Sequence, residues 1–182
     1  VADVRSAALA VAHDGTAAAI RAVFDAVDAF RAAGGSDDPR ELGRVVRAAV
    51  APYDTVGDAY RAPAMDARLP SRTKSIEELP VALGFVVAHD GDARAAVLDA
   101  VNYGRDSDSI ATMAGAICGG LGGAGAIPEE WVRDVAKASR LDLDGVVATM
   151  TSVVRDIARA DAERAATRAA ALSEILGQEA AA

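Results

Sequence analysis

The sequence predicts an all-α fold, and three observations carry that reading. Hydrophobic residues fill 52% of the 182 positions but aromatics only 4%, so a core must be built from Ala, Val, Leu and Ile. Alanine, the strongest helix former, is abundant throughout. Apolar residues recur at spacings of three and four, and no stretch shows the period-2 alternation of a half-buried strand.

The elements follow in order. Residues 3–13 place Val4, Ala7, Ala8 and Val11 at helical spacing, with Gly15 as a stop. Thr16 is the expected N-cap of a second helix. That helix carries Ile20, Val23, Phe24, Val27 and Phe30 as one stripe and ends at Gly34-Gly35. Asp37-Asp38-Pro39 starts a third, with Leu42, Val45, Val46 and Val50 inward and Pro52 beyond its end. Residues 52–74 hold three prolines, a glycine and two tyrosines without periodicity, and read as a long connection. Ser75-Ile76-Glu77-Glu78 has the form of a capping box, with Pro80 in the first turn of the helix that runs to His89.

Asp92 is an N-cap for Ala93–Tyr103, where Val97, Leu98 and Val101 are expected to face inward, and Gly104 ends that helix. The next helix contains five glycines between residues 115 and 123, each costing about 1 kcal/mol against alanine. Their density implies either close approach of another backbone or an early end near Gly119. Met113 and Cys118 belong to the core there. Ile127-Pro128-Glu129-Glu130-Trp131 is a helix start with Trp131 as a core anchor. Leu141–Leu176 gives one or two further helices, with Gly145 as a weak break. Their inner face is Val146, Val147, Met150, Val153, Val154 and Ile157. The length suits one domain with a sizeable core.

Composition excludes some functions. The formal net charge of −8 argues against a nucleic-acid surface, which needs clustered Lys and Arg. The single Cys118 forbids an intrachain disulfide and points to a reducing, cytoplasmic setting. No apolar run approaches the roughly 20 residues of a membrane span, and no signal-peptide pattern is visible. His13 and His89 each fall near a helix end without a Ser/Asp or Cys arrangement that would make either catalytic. Tyr53, Tyr60 and Tyr103 have faces on which a base can stack; for Tyr103 packing at its helix end is the simpler role.

Chemistry concentrates at Asp106-Ser107-Asp108-Ser109, between the Gly104 helix stop and the small-residue helix. Hard divalent cations take clustered oxygen ligands, and Asp106, Asp108 and the Ser109 hydroxyl supply three. Residues two apart on a helix do not face one another, so a shared cation requires a loop-to-helix junction here. The alternative is simple capping, which favours carboxylates at a helix N-terminus. An EF-hand is excluded: counting from Asp106, positions 5, 6 and 12 hold Ile110, Ala111 and Ile117.

The string VNYGRDSDSIATMAGAICGGLGGAGAIPEEW resembles the C-terminal signature of the ADP-ribosylglycohydrolase family, the dinitrogenase-reductase-activating and ADP-ribosyl-arginine/serine hydrolase type. The preceding SIEELPVALGFVVAHDGDARAAVLDAV matches the helix pair before it. The resemblance is specific over residues 70–135 and compatible elsewhere. It implies a compact orthogonal multi-helix bundle, a two-metal Mg²⁺ or Mn²⁺ site in the complete enzyme, and Asp106, Asp108 and Ser109 as metal ligands. Arg105 stands where many members have a second Gly. The family's N-terminal Gly-Asp-x-x-Gly segment and Thr-Asp-Asp motif have no counterpart. Asp37-Asp38 reads as a cap, and Thr55-Val56-Gly57-Asp58 is not the motif. By this resemblance the chain corresponds to a C-terminal half, with the acid/base carboxylate expected in the other.

The expected function is metal-dependent removal of ADP-ribose from a protein side chain at an N- or O-ribosidic bond. ADP-ribose or an ADP-ribosylated protein would be the partner, together with a missing N-terminal half. The alternatives are an inactive split half acting as a binding or structural module, and a relative acting on a free nucleoside, nucleotide or related glycoside.

Overall fold

The computed structural model describes residues 1–38, 40–54, 77–140 and 142–179. Among them are eight α-helices and no strand: α1 (Ala2–Val11), α2 (Asp14–Ala32), α3 (Glu41–Val50), α4 (Glu78–Ala88), α5 (Ala93–Tyr103), α6 (Ser107–Gly122), α7 (Glu129–Ser139) and α8 (Leu143–Glu179). The chain falls into two compact units, Val1–Trp131 and Val132–Ala182.

The first unit is built around α4. Its sequence, ELPVALGFVVA, is hydrophobic on every side, and such a helix is stable only when surrounded. Every residue from Pro80 to Val87 is buried. Helices α2, α3, α5 and α6 all pack on it. From α2 come Ile20, Val23, Phe24 and Val27, and from α3 Leu42, Val46 and Val50 at a strict spacing of four. From α6 come Ile110, Ala114 and Cys118 at the same spacing. Gly84 sets the closest approach. A Cβ there would lie 2.5 Å from Val23 Cγ1.

Several sequence expectations are corrected. Thr16 lies inside α2, which starts at Asp14 with His13 at the N-cap; the Thr16 N–H bonds the His13 carbonyl at 3.1 Å, and Gly15 is absorbed into the first turn. On α5 the buried residues are Ala93, Ala96 and Ala100, whereas Leu98 and Val101 are exposed. The alanine face lets α5 lie close against α6, and larger side chains on that face would hold it off. Helix α6 does not stop near Gly119 but runs to Gly122. Gly115 there meets Val97 at 3.4 Å from a virtual Cβ, and Gly120 meets nothing within 4 Å. Trp131 is half-buried rather than a core anchor; the Arg94 guanidinium stacks 5.1 Å from its ring and pairs with Glu130.

Other expectations hold. Gly34 and Gly35 end α2 with positive φ. Asp92 accepts the Ala95 N–H at 2.7 Å as the cap of α5. The Asp37-Asp38 cap is corrected: α3 starts at Glu41 with Arg40 at its N-cap and no side-chain cap bond, and Asp38 accepts the Arg40 N–H at 2.9 Å in the turn before it. Cys118 is fully buried and Met113 packs against the core.

In the second unit, α8 is one continuous helix of 37 residues. At 1.5 Å per residue it is about 55 Å long. Gly145 does not break it but sits in its first turn, with its N–H bonded to Asp142 Oδ1 at 2.9 Å. The predicted inner face, Val146, Val147, Met150, Val153, Val154 and Ile157, is 45–62% exposed. Periodicity marks an apolar stripe; it does not specify what lies against it. Among the described residues no helix is long and apolar enough to cross a membrane.

Two glycine substitutions test this architecture by urea unfolding. Gly84→Ala forces a methyl into Val23 and should cost about 1–3 kcal/mol, the usual range for overpacking. Gly120→Ala, with open space around it in a helix interior, should stabilise by about 0.5–1 kcal/mol.

Candidate metal centre and its anchoring network

The predicted ligands lie where α5 turns into α6. The turn needs two successive residues in the left-handed region, Gly104 at φ +78° and Arg105 at φ +55°. Glycine takes that conformation freely, but arginine takes it at a cost of about 1–3 kcal/mol. A glycine at both positions would suit the backbone, which gives the family's second Gly a physical basis.

Arg105 is held in place by its side chain, only 9% exposed. Its Nη2 donates to Asp54 Oδ2 at 2.9 Å, and its Nε forms an ion pair with Glu77 Oε2, also at 2.9 Å. Glu77 is itself buried. Its other oxygen, Oε1, accepts the Tyr103 hydroxyl at 2.6 Å and lies 4.0 Å from Arg47 Nη1. The Tyr103 ring packs edge-on against Phe85 with centroids 5.9 Å apart. Burial first, and then the bond to Glu77, push the Tyr103 hydroxyl far above its ordinary pKa, so it stays a donor. The last residue of α5, the residue before α4 and the turn before α6 are thus joined through one carboxylate.

Glu78 lies beside this network and differs from it. It is buried, and neither carboxylate oxygen has a hydrogen-bond partner among the described residues. Burial raises its pKa, and the charges of Glu77 and Asp106 add to the rise. The backbone N–H groups of Glu78 and Glu77 pull the other way without forming bonds of good geometry. The capping-box reading is therefore corrected: α4 begins at Glu78 with Glu77 at its N-cap, so Glu78 is not the fourth residue of a box. Ser75 and Ile76 lie outside the described residues, as do Tyr60 and Thr55-Val56-Gly57-Asp58.

Asp106 is the N-cap residue of α6, and its carbonyl accepts the Ile110 N–H at 3.1 Å. Its side chain makes no cap hydrogen bond. Asp108 is in the first turn and exposed, and Ser109 is half-buried. The pair therefore occupies capping positions without Asp106 using its carboxylate as a cap, and it sits at the loop-to-helix junction that a shared cation requires. Among the described residues, no group of three or more His, Cys, Asp or Glu comes together as a potential metal shell.

The two histidines play other parts. His89, at the C-cap of α4, has Nε2 2.6 Å from Asp99 Oδ2, and His13 is exposed at the N-cap of α2.

The sequence model of the ADP-ribosylglycohydrolase family matches residues 2–174. The chain belongs to that family. The match extends from α1 through most of α8, well beyond the signature at residues 70–135, and places the chain among hydrolases of the ADP-ribosylglycohydrolase type. No curated protein and no solved structure matches it. The buried trio of Asp54, Glu77 and Arg105 escaped the sequence reading, although Arg105 in place of the family's second Gly was its visible sign.

Two predictions arise from this network. Arg105→Ala removes the cation from a buried carboxylate and should cost about 3–5 kcal/mol, read as a lowered denaturation midpoint. The Glu78 carboxyl has a folded-state pKa above its unfolded value near 4.5, so the folded state binds more protons between the two. Stability should therefore fall as pH rises through that window. Glu78→Gln should remove this slope, seen by comparing unfolding midpoints of the two proteins from pH 4 to pH 7.

Proposed function

We propose that this chain supplies one half of a divalent-metal site for hydrolysing the bond between ADP-ribose and a protein side chain. The observation that carries the reading is Asp106, at the N-cap of α6, with a side chain that makes no cap bond, in a chain of this family. Asp106, Asp108 and Ser109 would hold Mg²⁺ or Mn²⁺, and their all-oxygen donor set suits such hard cations. A cation bound there would supply Lewis-acid polarisation and lower the pKa of its water. The chain's own residues fix the turn: Arg105, clamped by Asp54 and Glu77, orients Asp106, and Tyr103 holds Glu77. Further ligands and the acid/base carboxylate would come from beyond these three residues.

A second reading, a binding or structural module, is favoured by one observation. Nine apolar side chains of α8 between Val146 and Leu176 are exposed, a surface suited to packing against another structure. A relative acting on free nucleosides or nucleotides is separated from the first reading by substrate alone.

Calorimetric titration with Mn²⁺ should show saturable binding that Asp106→Asn weakens at least tenfold. A panel of ADP-ribosylated arginine and serine peptides against free nucleosides should show hydrolysis of the peptides, lost in the same variant. Hydrolysis undiminished in Asp106→Asn would overturn the assignment, and metal binding without turnover of any substrate would favour the module.

A further inference from the structure

A cleft of about 210 Å³ opens between the start of α3 and the end of α5. Arg40, Arg44 and Arg47 line one side, and Asp99, Asn102 and Tyr103 the other. The arginines are spaced four and three apart, so they share a helix face. Gly43 lies between them as a low floor; a Cβ there would be 3.9 Å from the Tyr103 ring. Three guanidiniums around one small cavity stand out in a chain with a formal net charge of −8.

The local acids cancel part of this charge, that of Arg44 above all. Asp99 is engaged with His89 at 2.6 Å. Arg44 Nη1 is shared between Asp38 at 2.8 Å and Glu41 at 2.6 Å. Arg47 stands 4.0 Å from Glu77, whose carboxylate already takes Arg105 at 2.9 Å and Tyr103. The Arg40 side chain has no ion pair among the described residues. Planar guanidiniums recognise phosphoryl oxygens by paired hydrogen bonds, and Asn102 adds an amide donor. The cleft is smaller than the roughly 300–1,000 Å³ of sites that enclose a drug-sized ligand.

We infer that this cleft binds a diphosphate, either the free inorganic anion or the diphosphate of a nucleotide such as ADP-ribose, through Arg40, Arg47 and Asn102, with Arg44 held beside them by Asp38 and Glu41. The site stands on its own residues; it deepens the hydrolase reading because ADP-ribose carries that group.

The test is calorimetric titration of the chain with inorganic diphosphate, in chelator and at low salt. Saturable binding is expected, weakened at least tenfold in Arg40→Gln/Arg47→Gln and measurably in the exposed single variant Arg40→Gln. Circular dichroism should show unchanged helicity in both. Asp106→Asn should bind diphosphate as the parent does, which keeps this outcome separate from failure of the metal assignment. Competition by ADP-ribose would assign the cleft to a nucleotide diphosphate, and its absence to the free anion; both uphold the inference. No binding, equal binding by the double variant, or loss of binding in Asp106→Asn would overturn it.

Discussion

The first unit depends on the all-round burial of α4. A helix with no polar face has to be enclosed, and α2, α3, α5 and α6 do so. That enclosure fixes where its N-terminus lies, and with it Glu77 and Glu78. Gly84 against Val23 sets how near α2 can come. The end of α5 and the beginning of α6 are then presented to the same end of α4, where Glu77 ties Tyr103 and Arg105 together. The candidate metal turn is thus placed by a hydrophobic requirement some twenty-five residues earlier in the chain.

The two buried glutamates show how neighbouring residues of the same type diverge. Glu77 is compensated by a cation and a hydroxyl, so its charge is tolerated. Glu78 lacks both, and burial favours its neutral form. Adjacent helix positions point about 100° apart, and here that angle separates a carboxylate with an arginine and a hydroxyl from one with no hydrogen-bond partner among the described residues.

Much of this was legible in the sequence. The helical class, the Gly34-Gly35 and Gly104 stops, the Asp92 cap, the core faces of α2 and α3, and Cys118 in the core of α6 follow from spacing and turn chemistry. The Asp106–Ser109 junction was legible too. What was not legible had physical causes. Leu98 and Val101 look like core residues, but close helix packing selected the alanine face of α5 instead. The apolar stripe on α8 has the right period for an inner face and is nonetheless exposed. Asp54, Glu77 and Arg105 are distant in sequence, and only the fold brings them together.

The left-handed backbone at Arg105 has a consequence for the turn as a whole. A glycine there would accept many conformations, and its ordering would rely on the turn itself. Arginine exchanges that latitude for an anchor: the conformation is unfavourable alone and is maintained by charges on two other segments. The turn is therefore conditional on tertiary structure. Loosening of the residue 54 segment or of the α4 N-terminus would release Arg105 and with it the orientation of Asp106. The geometry of the turn would then report the integrity of the helices around it.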